Sequence, residues 1–175
     1  MKKLFVLTAF SMLFLSSTLQ AQSDKSKRAS PPAKVSQKLK SGATVSIDYS
    51  QPSLKGRTIG QDVEPKKGQV WRAGANEATV FETDKDITVE GKKLPAGKYA
   101  LFMTDNGDTW TIIFNKVWQT FGAFDYEKNK AEDALQVTVK PQTAKAVQEK
   151  LTYKISESGK VSLLWGDRLV DFTVK

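Results

Sequence analysis

The sequence predicts an all-β protein, an antiparallel β-sandwich of about eight or nine strands with one long loop (51–78) and little or no helix. Three observations lead to this fold class. Apolar and polar residues alternate along most of the chain after residue 43, turn motifs separate the alternating runs, and the one stretch with helical character, 143–150, is short. Alternation with a period of two puts one face of each strand on a core and the other in water.

The alternating runs give the strands in order. The first contains Val45, Ile47 and Tyr49, and further runs follow at 87–89, 99–104, 109–115, 135–139, 151–155, 161–165 and 170–174. Many short strands at this spacing, separated by tight turns, are typical of a sandwich.

Turn motifs account for the connections between these runs. The residues DNGD at 105–108 predict a hairpin, because Asn-Gly between two alternating runs favours a tight turn. The residues ESGK at 157–160 and the pair Gly166-Asp167 predict two further turns. DNGD also resembles a fragment of a calcium loop, but it lacks the spacing and the final Glu of an EF-hand. The hairpin explains this motif, and no metal site is predicted.

The first 21 residues have the parts of a cleavable signal peptide. Lys2 and Lys3 precede an apolar run at 4–15, and small and polar residues lead to Ala21. The apolar run is shorter than the roughly 20 residues that a membrane-spanning helix needs. We therefore expect cleavage near Ala21 and a periplasmic or secreted protein. The chain contains no Cys, so it has neither a lipid-anchoring Cys nor a disulfide.

The formal net charge of +8 is concentrated near the N-terminus. Residues 23–41 include six basic residues and one acidic residue, and the stretch is rich in Ser, Lys and Ala. This composition predicts a basic disordered linker over 22–41, followed by a single sandwich domain over 42–175. The domain itself is close to neutral, so it lacks the basic face that nucleic-acid binding requires. The sequence leaves the oligomeric state open.

The residue types that are missing exclude several chemistries. With no His and no Cys, the chain cannot form a Ser-His triad, a thiol nucleophile or the usual zinc site. We expect no cofactor and no bound metal. General acid–base chemistry would depend on carboxylates, Lys or Tyr.

The long loop and the strand before it contain the candidate ligand-binding residues. The chain has four Arg among 27 basic residues, and two of them, Arg57 and Arg72, lie in this loop. Because guanidinium is a planar fork that matches carboxylate and phosphate, these two residues suggest an anionic or polar small ligand such as a glycan. Asn and Glu would bind hydroxyls and Trp would stack on a ring. The remaining candidates are Asp48, Trp71, Asn76 and Glu77.

Three alternatives remain open from the sequence. Arg57 and Arg72 could pair with Asp48 or Glu77 and hold the loop in place, which would make the cluster structural. Asp48 and Glu77 could act together in a carboxylate-dependent glycan hydrolase. An aromatic segment within 116–133 could fill one end of the sandwich, or form an exposed platform for a sugar or a protein partner of the cell envelope. Its four aromatic residues are Trp118, Phe121, Phe124 and Tyr126.

Four sequence blocks are similar to those of the DUF2911 domain family, a family of exported bacterial proteins with no assigned function. The blocks are YSQPSLKGR at 49–57, VWRAGANEAT at 70–79, LPAGKYALF at 94–102 and WTIIFNK at 110–116. The resemblance extends over about residues 31–174. It implies export and one domain, and it supplies no activity.

Overall fold

The computed structural model describes residues 24–175, so the predicted signal peptide lies outside the described residues. Within this range no helix is long and apolar enough to cross a membrane. Two short 3-10 helices lie at Lys25–Lys27 and Lys130–Glu132. The other elements are β1 (Pro32–Lys38), β2 (Thr44–Ser50), β3 (Val70–Trp71), β4 (Thr79–Thr83), β5 (Ile87–Val89), β6 (Lys92–Leu94), β7 (Gly97–Asp105), β8 (Trp110–Asn115), α1 (Tyr126–Asn129), β9 (Asp133–Val139), β10 (Gln142–Ile155) and β11 (Lys160–Thr173).

The main layer is a seven-stranded antiparallel sheet. Its strand order is β1-β2-β4-β7-β8-β9, and the short β3 pairs with the far end of β7. The predicted hairpin at 105–108 is confirmed: β7 and β8 pair from Ala100–Asn115 to Asp105–Trp110, and Gly107 has a φ of 92°.

The opposing layer is built on the long hairpin β10-β11. An isolated bridge between Val89 and Val174 joins the small β5-β6 ladder to the end of β11, and a bridge between Ser53 and Lys150 joins the long loop to β10. Aromatic side chains from the two layers meet in the core. The pairs are Tyr49 with Tyr153, Trp71 with Trp165, and Phe114 with Phe172. The predicted all-β sandwich is thus confirmed, with eleven strands in residues 24–175, several of them very short.

The prediction of a disordered linker over 22–41 is wrong for residues 32–38. These residues form β1, which pairs with β2 along its whole length, from Pro32–Ser50 to Lys38–Thr44. Ala33, Val35 and Gln37 are half-buried, while the residues between them are exposed. The alternation is weak because the apolar side chains are few and small, and exposed Lys and Pro are common on an edge strand.

The stretch 143–150 is also different from its prediction, since it belongs to β10 rather than to a helix. Its Ala, Lys, Gln and Glu residues favour helix locally, but the pairing with β11 overrides that preference. Most of this stretch is exposed, and its register shifts between Thr143 and Thr152, so no clean alternation marks it as a strand. Gly166-Asp167 lies inside β11 and is not the predicted turn. Among the described residues, α-helix occurs only in α1, which is one turn long.

Candidate functional site

The long loop encloses a cavity of about 380 Å³, named here the Arg72 cavity. Loop residues form one side of it, and Trp71 at the end of β3 and Trp165 within β11 also line it. Three exposed charged side chains of the loop also line it, namely Arg57, Asp62 and Lys66. The two buried tryptophans are named here the floor of the cavity, and the exposed charged side chains its rim.

The floor is a pair of tryptophans, one from each layer. The rings of Trp71 and Trp165 lie nearly parallel, with an interplanar angle of 14° and centroids 5.9 Å apart. Trp71 Nε1 donates to Gly74 O at 3.0 Å, whereas Trp165 Nε1 is buried and has no acceptor among residues 24–175. Because Trp71 is only 2% exposed, it cannot offer the open stacking face expected from the sequence.

Arg72 is the cation at the cavity floor. Its Nε atom is buried and has no hydrogen-bond acceptor in the described part of the chain. No carboxylate of residues 24–175 lies within 4.0 Å of its guanidinium. Burial lowers the pKa of Arg72 below its usual range, and the charge of Glu64 opposes that shift. Arg72 is thus a partly desolvated cation without a counter-ion in direct contact.

The backbone next to Arg72 is held in one conformation. Ala73 has a φ of 52°, a left-handed conformation that non-glycine residues adopt rarely. Its carbonyl oxygen accepts from Thr79 Oγ1 at 3.0 Å and from Tyr153 Oη at 2.7 Å. Burial raises the pKa of Tyr153 well above its ordinary value, so this hydroxyl stays a donor. These two bonds fix the position of Arg72 without involving its side chain.

Arg57 has a different role from Arg72, although both line the cavity. Its Nε donates to Leu54 O at 2.9 Å and its Nη2 donates to Ser53 O at 2.7 Å. These bonds stabilise the turn in which Lys55 and Gly56 have positive φ angles of 49° and 75°. Arg57 therefore stabilises the loop, as one alternative expected, but through carbonyl groups and not through Asp48 or Glu77.

Asn76 and Glu77 contact the N-terminal segment that precedes β1. Asn76 Nδ2 donates to Ser30 O at 3.0 Å. Glu77 accepts from Arg28 Nη1 through both carboxylate oxygens, at 3.0 and 2.9 Å, and pairs with Lys25 Nζ at 3.0 Å. Asn76 and Glu77, which the sequence suggested as partners for ligand hydroxyls, are thus bonded to residues of the same chain.

Glu77 and Asp48 line a second, smaller cavity of about 160 Å³. Asp48 pairs with Lys34 of β1 at 2.9 Å. Burial alone would raise the pKa of Glu77, but its own backbone N–H and its bonds to Arg28 and Lys25 outweigh that effect and lower the pKa to about 2. The six predicted site residues are therefore divided: Arg57, Trp71, Arg72 and Asn76 line the Arg72 cavity, and Asp48 and Glu77 line its neighbour.

The aromatic segment is divided too. Tyr126 is 4% exposed, packs edge-on against Phe102 and donates to Asp133 Oδ2 at 2.8 Å. Trp118 is half-buried, with Lys98 Nζ 5.3 Å above its ring. Two of the four side chains, Phe121 at 59% and Phe124 at 80%, are exposed. Each of the two interpretations of this segment thus describes half of it.

Sequence reasoning missed two residues of the site. Trp165 was assigned to the core by its alternation with Leu163 and Val161, and nothing local distinguishes a core tryptophan from one on a cavity floor. Ser30, which lines the cavity wall, lies just before β1 in a stretch that looked disordered. The scarcity of Arg was the useful signal, since each of the four Arg residues lines a cavity. Arg168 lines a separate cavity of about 470 Å³ and pairs with Asp105 at 2.8 Å.

The fold and cavity together define an antiparallel β-sandwich with a small polar cavity under its longest loop. No group of three or more His, Cys, Asp or Glu in the described residues is placed to hold a metal ion. The chain belongs to the DUF2911 family, described as a protein of unknown function, which it matches over residues 30–174. The family resemblance is thereby confirmed. Searches for similar curated proteins and for similar solved structures found no match.

Proposed function

We propose that the chain is an exported, non-catalytic binding protein, and that its Arg72 cavity holds a glycan or another small polar ligand through an anionic group. The observation that carries this proposal is the state of Arg72, a partly desolvated guanidinium on the cavity floor with no carboxylate within 4.0 Å in residues 24–175. A desolvated charge without a partner is costly, and a bound carboxylate or phosphate would offset that cost.

The surroundings of Arg72 support a ligand of modest size. A cavity of about 380 Å³ is within the range of small-molecule sites. Trp165 contributes a second donor that lacks an acceptor in the described chain. Asp62 and Lys66 at the rim are exposed and would bind hydroxyl groups of the same ligand.

The hydrolase alternative has weaker support. A glycosidase needs one carboxyl group with a raised pKa that donates a proton to the leaving group. Glu77 has its pKa lowered to about 2, and Asp48 pairs with Lys34. Both carboxylates bind cations of the same chain, which is the opposite of the environment that general acid catalysis requires.

A thermal-shift screen of the mature chain tests the binding proposal. The panel compares glucose, glucuronate and glucose 1-phosphate with other sugars and organic acids of similar size. Compounds with an anionic group should raise the melting temperature, and Arg72→Ala and Arg72→Lys should abolish that rise, because Lys lacks the guanidinium fork. Arg168→Lys is the matched control, since Arg168 lines another cavity. A rise in melting temperature that persists in both Arg72 variants would show that the ligand binds outside this cavity.

Export is tested separately by mass spectrometry of the chain recovered outside the cytoplasm. A mature protein that begins at Gln22 is the expected product. Recovery of the chain with its first 21 residues intact would contradict this part of the proposal.

A further inference from the structure

The segment 24–31, named here the strap, crosses from the N-terminal end of the described chain to the first strand. It contains one 3-10 turn, Lys25–Lys27, which Asp24 caps by accepting from Ser26 N at 3.0 Å. Its last residue, Pro31, accepts a backbone hydrogen bond from Gln51 N at 2.8 Å. The strap thus continues the β1-β2 pairing beyond the end of β1.

Two side chains of the domain hold the strap. Glu77 binds Arg28 and Lys25 through three contacts of 2.9 to 3.0 Å, and Asn76 donates to the carbonyl of Ser30 at 3.0 Å. Asn76 has a φ of 57°, a conformation that Asn tolerates better than most residues. The adjacent residues Asn76 and Glu77 therefore both hold the same segment.

The docked strap forms part of the wall of the Arg72 cavity. Ser30 and Asn76 both line that cavity, whereas Arg28, Lys25 and Glu77 line the smaller one beside it. The row of contacts along the strap therefore separates the two cavities. Arg28 is thus the charged anchor of the strap, two residues before Ser30.

We propose that Glu77 and Asn76 are positioning residues, which close one side of the Arg72 cavity by holding the strap in place. Only Gln22 and Ser23 separate the strap from the predicted cleavage site after Ala21, so cleavage would leave the strap near the new N-terminus of the exported chain. The value of this closure for a ligand rests on the proposed function, but the closure itself is independent of any ligand. Arg28 and Glu77 are both partly exposed, so replacing Glu77 should loosen the strap without unfolding the domain.

Arginine labelling of the mature chain measures the closure directly. Phenylglyoxal modifies accessible guanidinium groups, and peptide mass spectrometry reports the rate at each of the four Arg residues. In Glu77→Gln, labelling of Arg28 and Arg72 should rise by about threefold or more, on the scale of losing a pair of weak ion contacts. Labelling of Arg168 should stay constant. Glu82→Gln is the matched control, because Glu82 has a similar side-chain exposure (40% against 41%) and pairs with Lys98.

Each outcome decides the proposal. A rise at Arg28 without a rise at Arg72 means that Glu77 holds the strap but that the strap does not close the cavity, and the proposal fails. No rise at either residue means that Glu77 does not hold the strap. Asn76→Ala removes the other contact, and it should increase labelling of Arg72 while the Arg28 contact with Glu77 remains. If Glu77→Gln also increases the labelling rate of Arg168, the variant is unfolding. In that case Asn76→Ala decides, and an unchanged labelling rate of Arg72 in that variant overturns the proposal. A failed ligand screen would leave these labelling results unaffected.

Discussion

Trp71 and Trp165 stack across the two layers of the sandwich, with centroids 5.9 Å apart, and lie directly beneath the polar cavity. The same contact thus belongs to the core and to the candidate site. Trp165→Ala should lower the free energy of unfolding by about 3–5 kcal/mol, as expected when a large aromatic side chain leaves a packed core. Urea denaturation checks this value. A loss below about 1 kcal/mol would mean that the stack contributes little to the fold.

Replacing Arg72 should not destabilise the protein, in contrast to most substitutions of partly buried residues. Arg72→Met removes a desolvated charge that has no ion-pair partner in residues 24–175, so the free energy of unfolding should stay constant or rise by about 0–2 kcal/mol. The same measurement on Arg168→Met provides the control. That change leaves Asp105 buried without its partner and should cost about 1–3 kcal/mol. A clear loss of stability in Arg72→Met would support the interpretation that Arg72 only holds the loop.

The contacts of Glu77 should make part of the stability depend on pH. Burial opposes the shift, but hydrogen bonds and the positive charges of Arg28 and Lys25 lower the pKa of Glu77 from its ordinary value of 4.5 to about 2. Since the folded-state pKa is the lower one, the contribution is fully present above about pH 4.5 and is lost as the pH falls through about 2. Urea midpoints of the wild-type protein and Glu77→Gln should therefore differ at neutral pH and converge towards pH 2. A difference that stays constant over this range would contradict the assigned pairing.

Gly159 should be the least replaceable glycine of the β10-β11 hairpin. Its φ is 89°, and a Cβ atom there would overlap the carbonyl oxygen of Val174, which lies at the end of the chain beside β5. Gly159→Ala should cost more than the roughly 1–2 kcal/mol of a left-handed alanine alone. Gly56→Ala is the control, because Gly56 has a similar φ of 75° but nothing within 4 Å of the added atom. Equal losses of stability for the two variants would argue against this packing.

The elements that the sequence predicted well are those with local causes. The hairpin at 105–108 follows from Asn106-Gly107 between two alternating runs, and β7 and β8 pair as that motif requires. The first half of β10 was not predicted as a strand, because it has few buried side chains on either face. Only its pairing with β11 makes it a strand. A preference that depends on a distant partner cannot be detected in a short window of sequence.

The candidate site was predicted only in part, because several of its residues are brought together by tertiary contacts between distant parts of the chain. Two of the four Arg residues lie in the loop that lines the Arg72 cavity, and their scarcity in a Lys-rich chain is what singled out this loop. Nothing in the sequence indicated that Arg28 would form an ion pair with Glu77, since the two residues are 49 positions apart. Trp165 joins the cavity only because β11 packs across the main sheet. These are consequences of tertiary structure, and they divided six predicted residues between two cavities.

The central claim, that the Arg72 cavity binds an anionic ligand, is tested most directly by NMR of the four tryptophan indole N–H groups. The ligand is the anionic compound with the largest shift in the thermal screen. We expect the Trp165 and Trp71 resonances to move on titration, those of Trp110 and Trp118 to stay constant, and Arg72→Ala to abolish the change. Movement of Trp118 alone, or an unchanged titration in Arg72→Ala, would contradict the central claim and would direct attention to the aromatic segment instead.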